Sequence, residues 1–240
     1  MDADGEVWGL EKMKAQITEV HDQGGVVKVA FGGAMAAMIN YITTDAEAKT
    51  FCKTLAKIAK DTGIDGVDFD VEAAAPLDVQ ESMFKHCRQE LGKDAWISYT
   101  IPGTGELVQP YKTVLKDMHD YFDNVNLMAY DVYWSGYDVH KDIEEIAKLG
   151  VPMSKIVWGI MPGRHDAMSE YTTVQDAVDA GRYAKEQGMA GVMYWDVNRD
   201  TDHRTTRTGD LFMTGQPDGT YLNAIHQGFN EAKVRAPIAI

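Results

Sequence analysis

Basic residues are scarce in this chain. Lysine and arginine number 23 against 37 aspartates and glutamates, a formal net charge of -14. That deficit argues against nucleic acid or an anionic membrane as a partner, because both are held by basic patches. It suits a neutral or cationic ligand. Cysteine is scarcer still. Cys52 and Cys87 are the whole complement, which excludes a disulfide framework. The two are expected as buried thiols, with a single bridge between neighbouring helices as the alternative. No run approaches the ~20 apolar residues of a membrane span. The opening "MDADGEVWGLEKMK" has acids where an export signal has a basic and then an apolar region. A leader, for an exported protein, would lie outside this sequence. The seven histidines show no metal-ligand spacing and are expected on surfaces and loops. Low-complexity tracts, charge blocks and linkers are absent too.

What is present is a rhythm. With 240 residues, 45% of them hydrophobic, the chain can build one large α/β domain with a full core. Short apolar runs recur: "VVKVAFGG" (26–33), "GVDFDVE" (66–72), "AWISYTIPG" (95–103), "VNLMAYD" (125–131), "KIVWGIMPG" (155–163) and "GVMYWDVN" (191–198). Each has strand length and β-branched or aromatic residues. Helical spacing falls between them. Leu10, Met13, Ile17 and Val20 share one face, as do Phe51, Leu55 and Ile58, and then Phe84, Cys87 and Leu91. Thr173 is placed to cap a helix over 174–187 that stops at Gly188, and 221–234 reads as a last helix. Alternating strands and helices imply a parallel sheet with right-handed crossovers. Polar residues gather at the C-terminal ends of the apolar runs, the catalytic rim of a (β/α) barrel. A doubly wound sheet is disfavoured, because no Gly-x-Gly-x-x-Gly loop follows any run.

One run is unlike the rest. In "GIDGVDFDVE", Val67, Phe69 and Val71 alternate with Asp68, Asp70 and Glu72. Alternation puts the three acids on one face, successive pairs ~7 Å apart. Like charges in a partly enclosed site cannot all ionise, so at least one carboxyl group should keep its proton near neutral pH. Three uses fit: a general acid at a glycosidic bond, a divalent-cation site, or hydrogen-bonded supports inside a barrel.

The pattern Asp65-x-x-Asp68-x-Asp70-x-Glu72 resembles the signature of glycoside hydrolase family 18, the chitinases and related endo-β-N-acetylglucosaminidases. "VKVAFGG" is similar to the family's Ser-x-Gly-Gly strand, "NLMAYD" to its Met-x-Tyr-Asp strand, and "GVMYWDVNRD" to its last strand. The likeness runs from about residue 8 to 230. It implies a (β/α)8 barrel, one catalytic domain over 1–240, and hydrolysis of β-1,4-linked N-acetylglucosamine polymers without metal or cofactor. The partner would be chitin or its oligosaccharides. Release of N-glycans and non-catalytic chitin binding are the alternatives. The resemblance also implies secretion.

The resemblance further implies roles. Glu72 would be the general acid, Asp70 the group that orients the substrate acetamide, Asp68 its proton-sharing neighbour, and Tyr130 a donor to the acetamide oxygen. Trp195 would lie beneath a sugar. Asp131, Met128 and Arg164 are expected near the pocket, Gly32 and Gly33 at a bend beside it, and Asp65 as a structural acceptor. Tyr133, Trp134 and Tyr137 offer further aromatic platforms, and His165 a further contact. Two positions depart from the family pattern: Ala30 replaces its serine, and Ala73 follows Glu72 where an aromatic residue is common. Six strands are legible where the family has eight. A barrel lacking its first two strands is therefore expected, with self-association through the open edge.

Overall fold

The computed structural model describes residues 9–34, 42–72, 76–132, 136–167, 170–201 and 214–232. Its elements alternate as the apolar runs do. In chain order they are α1 (Leu10–Asp22), β1 (Lys28–Gly32), α2 (Asp45–Thr62), β2 (Gly66–Asp70), α3 (Leu77–Leu91), β3 (Trp96–Pro102), α4 (Tyr111–Met118), β4 (Asn124–Met128), α5 (Val139–Lys148), β5 (Ile156–Ile160), β6 (Gly163–Arg164), β7 (Tyr171–Thr172), α6 (Val174–Gln187), β8 (Gly191–Tyr194) and α7 (Thr220–Glu231). Each of the six apolar runs contains one parallel strand. Helices α4 and α5 and the short antiparallel pair β6–β7 are additions that the spacing of apolar residues does not announce. None of the described helices is long and apolar enough to cross a membrane.

The residues form two compact units, Met1–Thr100 with Asp117–Asp123, and Ile101–Lys116 with Asn124–Ile240. In the first, β1, β2 and β3 run parallel in that order, with Val67 opposite Val29 and Ile97. Alternation divides the faces of β2. Val67 and Phe69 are buried, while Asp68 and Asp70 on the other face are partly exposed. Phe69 meets Phe84 of α3 edge-on at 5.3 Å, and Phe84 continues to Tyr99 of β3 at the same distance. Such aromatic pairs favour edge-to-face geometry. One face of the sheet is thereby committed to the helices.

Cys52 of α2 and Cys87 of α3 are joined in a disulfide, which corrects the expectation of two thiols. Both side chains are fully buried. The helical periods of α2 and α3 turn each cysteine inward, and the packing of the two helices sets their Cα atoms 4.8 Å apart, within bridging range.

In the second unit β4, β5 and β8 run parallel in that order. Helix α6 covers the range read from the sequence. Thr173 and Asp176 form a capping box, and Gly188 ends the helix in the left-handed region. Helices α6 and α7 approach closely through glycines. A Cβ at Gly181 would lie 2.3 Å from the Ile225 oxygen, and one at Gly228 would lie 2.0 Å from the Val178 oxygen.

Candidate active site

The acids run along β2 and just past it, with Asp70 and Glu72 at its C-terminal end. Asp65, just before the strand, accepts from the Val27 amide at 2.7 Å and pairs with His21 Nε2 at 2.8 Å. It ties α1 and the start of β1 to β2. Asp68 and Asp70 follow on one face. Asp68 accepts from Thr100 Oγ1 at 2.8 and 2.9 Å, and from the Ser98 hydroxyl. Asp70 is different. Its Oδ1 is buried and has no hydrogen-bond partner among the described residues. Burial pushes its carboxyl up to about 7, and the charges of Glu72 and Asp68 push the same way. Glu72 lies two residues beyond the strand and is exposed. One carboxyl group that holds its proton near neutrality thus stands between two further acids. Ala73 lies outside the described residues.

Gly32 and Gly33 end β1 beside these acids. Both have positive φ, +118° and +96°, so the chain bends where only glycine is at ease. Gly32 is in register with Asp70, and the Gly33 amide donates to the Asp70 backbone oxygen at 2.9 Å.

In the second unit, Met128 ends β4 and is buried at 7% exposure. Its oxygen accepts from the Gly103 amide at 2.8 Å. Tyr130 is partly buried, with its ring 6.5 Å from that of His165. Asp131 is the non-glycine residue with positive φ among those described, at +53°. Its amide donates to His165 Nδ1 at 3.3 Å, and its carboxylate accepts from the Ala167 amide at 2.9 Å. His165 lies in the loop after β6, as the histidines were expected to, and is buried there. Because Nδ1 accepts, Nε2 carries the hydrogen and donates to Thr172 Oγ1 at 2.8 Å. Burial pulls this imidazole below its ordinary value against the charges of Asp131 and Glu170, which keeps Nδ1 free of a proton.

Arg164, on β6, is exposed. Its backbone oxygen accepts from buried Arg199 at 2.7 Å, and Arg199 also pairs with Asp166. Trp195 follows β8 and is 51% exposed. Its amide donates to the Ile160 oxygen at 3.0 Å, so the indole is held at the end of the strand with half its surface open. Tyr137 is partly buried and held by its hydroxyl. Its hydroxyl donates to Asp142 at 3.0 Å, and the same carboxylate accepts from the Thr104 and Gly105 amides. A cavity of about 380 Å³ opens beside this loop, lined by Thr104, Glu106, Tyr137, Asp138 and Lys141. Tyr133 and Trp134 lie outside the described residues.

Apolar spacing alone passed over Ser98, Thr100, Lys28 and Arg199. A signal existed for the first two: in "WISYTIP" they alternate on one face of a strand neighbouring the acidic one. Lys28 was legible only as a cation inside an apolar run. Among the described residues, no cluster of histidine, cysteine and carboxylate side chains is arranged to hold a metal ion.

Residues 6–166 match the family described as Glycosyl hydrolases family 18. The match takes in the acidic strand and the Met-x-Tyr-Asp strand, and the chain belongs to this family. Solved structures extend the likeness of fold beyond residue 166. The catalytic domain of a hyperthermophilic chitinase from Pyrococcus furiosus superposes with a TM-score of 0.74 at 20% identity, over 92% of this chain and 79% of that one. Catalytic-site mutants of active domain 2 of the thermostable chitinase from Pyrococcus furiosus, complexed with chito-oligosaccharides, give 0.75 at 20% identity, over 95% and 80%. A family 18 chitinase from Pseudoalteromonas aurantia gives 0.71 at 20% identity, over 95% and 84%. At this identity the likeness is one of fold. The six parallel strands alternating with helices match the barrel chitinases of the family.

Proposed function

We propose that this chain hydrolyses β-1,4-linked N-acetylglucosamine, in chitin or its oligomers, by substrate-assisted retention. The observation that carries the reading is Asp70. Its carboxyl group is partly buried, lacks a partner at Oδ1 among the described residues and is pushed up to about 7 beside Asp68 and exposed Glu72. A proton held there serves a reaction in which a neighbouring acid must give up its own and later regain it.

In this scheme Glu72 protonates the leaving glycosidic oxygen. The substrate's acetamide oxygen attacks the anomeric carbon, the carbon–oxygen bond to the leaving sugar breaks, and an oxazolinium ion forms. This departs from the two-carboxylate scheme of most glycosidases. Asp70 turns to accept a hydrogen bond from the acetamide N–H, its proton passes to Asp68, and the Asp70 carboxylate stabilises the positive charge there. Glu72, now ionised, takes a proton from the incoming water, which opens the ring with retention. The family resemblance assigns Tyr130 to the acetamide oxygen and Trp195 to the apolar face of a sugar. Half-exposed Trp195 suits that part, since an aromatic face packs on a pyranose ring.

The binding of chito-oligosaccharides by the Pyrococcus furiosus chitinase mutants supports the choice of substrate. The test is a product assay on chitin oligomers and on N-glycans. Cleavage of chitin oligomers with retained configuration is expected. Release of N-glycans alone would move the chain to the endo-β-N-acetylglucosaminidases, and binding without products would make it a lectin.

A further inference from the structure

The acidic strand of this chain lacks a donor that the family's Ser-x-Gly-Gly strand would supply. Ala30 lies in register beside Asp68, and a methyl group donates nothing. The strand on the other side fills the place. Ser98 and Thr100 of β3 are in register with Asp68 and Asp70, and both are buried, Ser98 completely. Both hydroxyls donate to Asp68.

Behind Ser98 stands a cation. Lys28 Nζ lies 2.6 Å from Ser98 Oγ. It reaches there from β1 across β2, where the register puts Gly66 between Lys28 and Trp96. Glycine has no side chain to block the crossing. The ammonium also sits 5.9 Å from the centre of the Trp96 ring, a cation–π contact. Lysine has donors only, so Ser98 must accept from Lys28 and direct its one hydroxyl hydrogen to Asp68. Linked hydrogen bonds of this kind polarise one another.

We infer that Lys28, acting through Ser98, positions Asp68 as the anionic neighbour of Asp70, and so takes the part of the serine absent from β1. The charged groups that face this network are Lys28 on β1, Asp68, Asp70 and Glu72 on and after β2, and Asp123 before β4. Asp123 itself is engaged by Arg88 of α3 at 2.8 Å and by the Ile97 amide at 2.7 Å. Burial pulls the Lys28 ammonium below its ordinary value, and the charges of Asp68 and Asp123 resist the fall. With two hydroxyl hydrogens directed at Asp68, the proton of the acidic pair is left to Asp70. Lys28 and Ser98 are positioning residues that act through Asp68. The catalytic consequence rests on the proposed function, but the arrangement does not.

The test is a carbon-13 titration of the aspartate carboxyl groups in the whole chain, compared with Lys28→Met, Ser98→Ala and Lys28→Arg. In the first two variants the upper midpoint of the Asp68–Asp70 pair should rise by about one pH unit. In Lys28→Arg, which keeps the charge, it should stay near wild type. A purely structural role would lower the melting temperature and leave the midpoint in place, and that result would overturn the inference. Should Lys28→Met not fold, Ser98→Ala, which removes one oxygen, decides alone. Where the wild type cleaves chito-oligosaccharides, the high-pH limb of kcat should move with the midpoint while KM holds. A wild type that cleaves none would count against the proposed function, and the titration would still decide this inference.

Discussion

Asp70→Asn should make the protein more stable above neutral pH and leave it unchanged in acid. The side chain keeps its shape and loses its charge. In the folded protein the Asp70 carboxyl is raised from 3.8 to about 7, first by burial and then by the charges of Glu72 and Asp68. Between those two values the folded chain holds a proton that the unfolded chain has released. Asp70 therefore contributes stability that is present below pH 3.8 and lost as the pH rises through about 7. A rise of that size corresponds to roughly 4 kcal/mol for an enclosed group. Asp70 is partly exposed, and solvent screening reduces the figure to about 2 kcal/mol. Asparagine titrates nothing. The difference in unfolding free energy, variant minus wild type, should be near zero at pH 4, grow by about 2 kcal/mol up to pH 7, and then level off. Relief of Glu72 from its charged neighbour acts in the same direction. Urea denaturation of both proteins across this range measures it. A difference that stays flat, or that falls as the pH rises, would refute the argument that burial and like charge hold the proton on Asp70. Under the proposed mechanism the variant should also lose activity, since asparagine can neither carry the proton nor become a carboxylate at this position.

Three further outcomes follow from other parts of the chain. Removing the Cys52–Cys87 bridge, which closes a separation of 35 residues, should cost roughly 3–4 kcal/mol in urea unfolding; an unchanged midpoint under oxidising conditions would mean that the thiols are free. Gly228→Ala should push α6 and α7 apart, because its Cβ would lie 2.0 Å from the Val178 oxygen, and cost about 1–3 kcal/mol by thermal or urea unfolding. Fully deacetylated glucosamine oligomers should resist cleavage, since they lack the acetamide oxygen that attacks; their efficient hydrolysis, seen by product chromatography, would point to a nucleophile in the protein.

The acidic strand was legible because a strand's two faces are written alternately. Val67 and Phe69 went to the helices, and Asp68 and Asp70 to the other side. Helix α6 was legible because its cap and its stop are both local. What escaped depends on pairing between distant segments. Asp68 and Ser98 are 30 residues apart, and only the register of β2 on β3 makes them neighbours. The disulfide needed the packing of α2 on α3, and periodicity alone gave each cysteine a buried face without saying what it met. His165 reads as a loop histidine and is one, and only the fold shows Asp131 and Thr172 closing on it. Ala30 shows the limit from the other side. A missing serine reads as a loss in the sequence, while the neighbouring strand of the fold holds two hydroxyls against the same carboxylate.

The part proposed for the acids at the end of β2 is general acid catalysis on a glycosidic bond. The most direct measurement is the turnover of a chito-oligosaccharide by Glu72→Gln against wild type. The substitution keeps the size of the side chain and removes its transferable proton. Turnover should fall by about 10²–10⁴-fold, with KM close to that of the wild type. A variant that turns over at the wild-type rate would show that Glu72 is not the acid, and the mechanism proposed for this chain would fail with it.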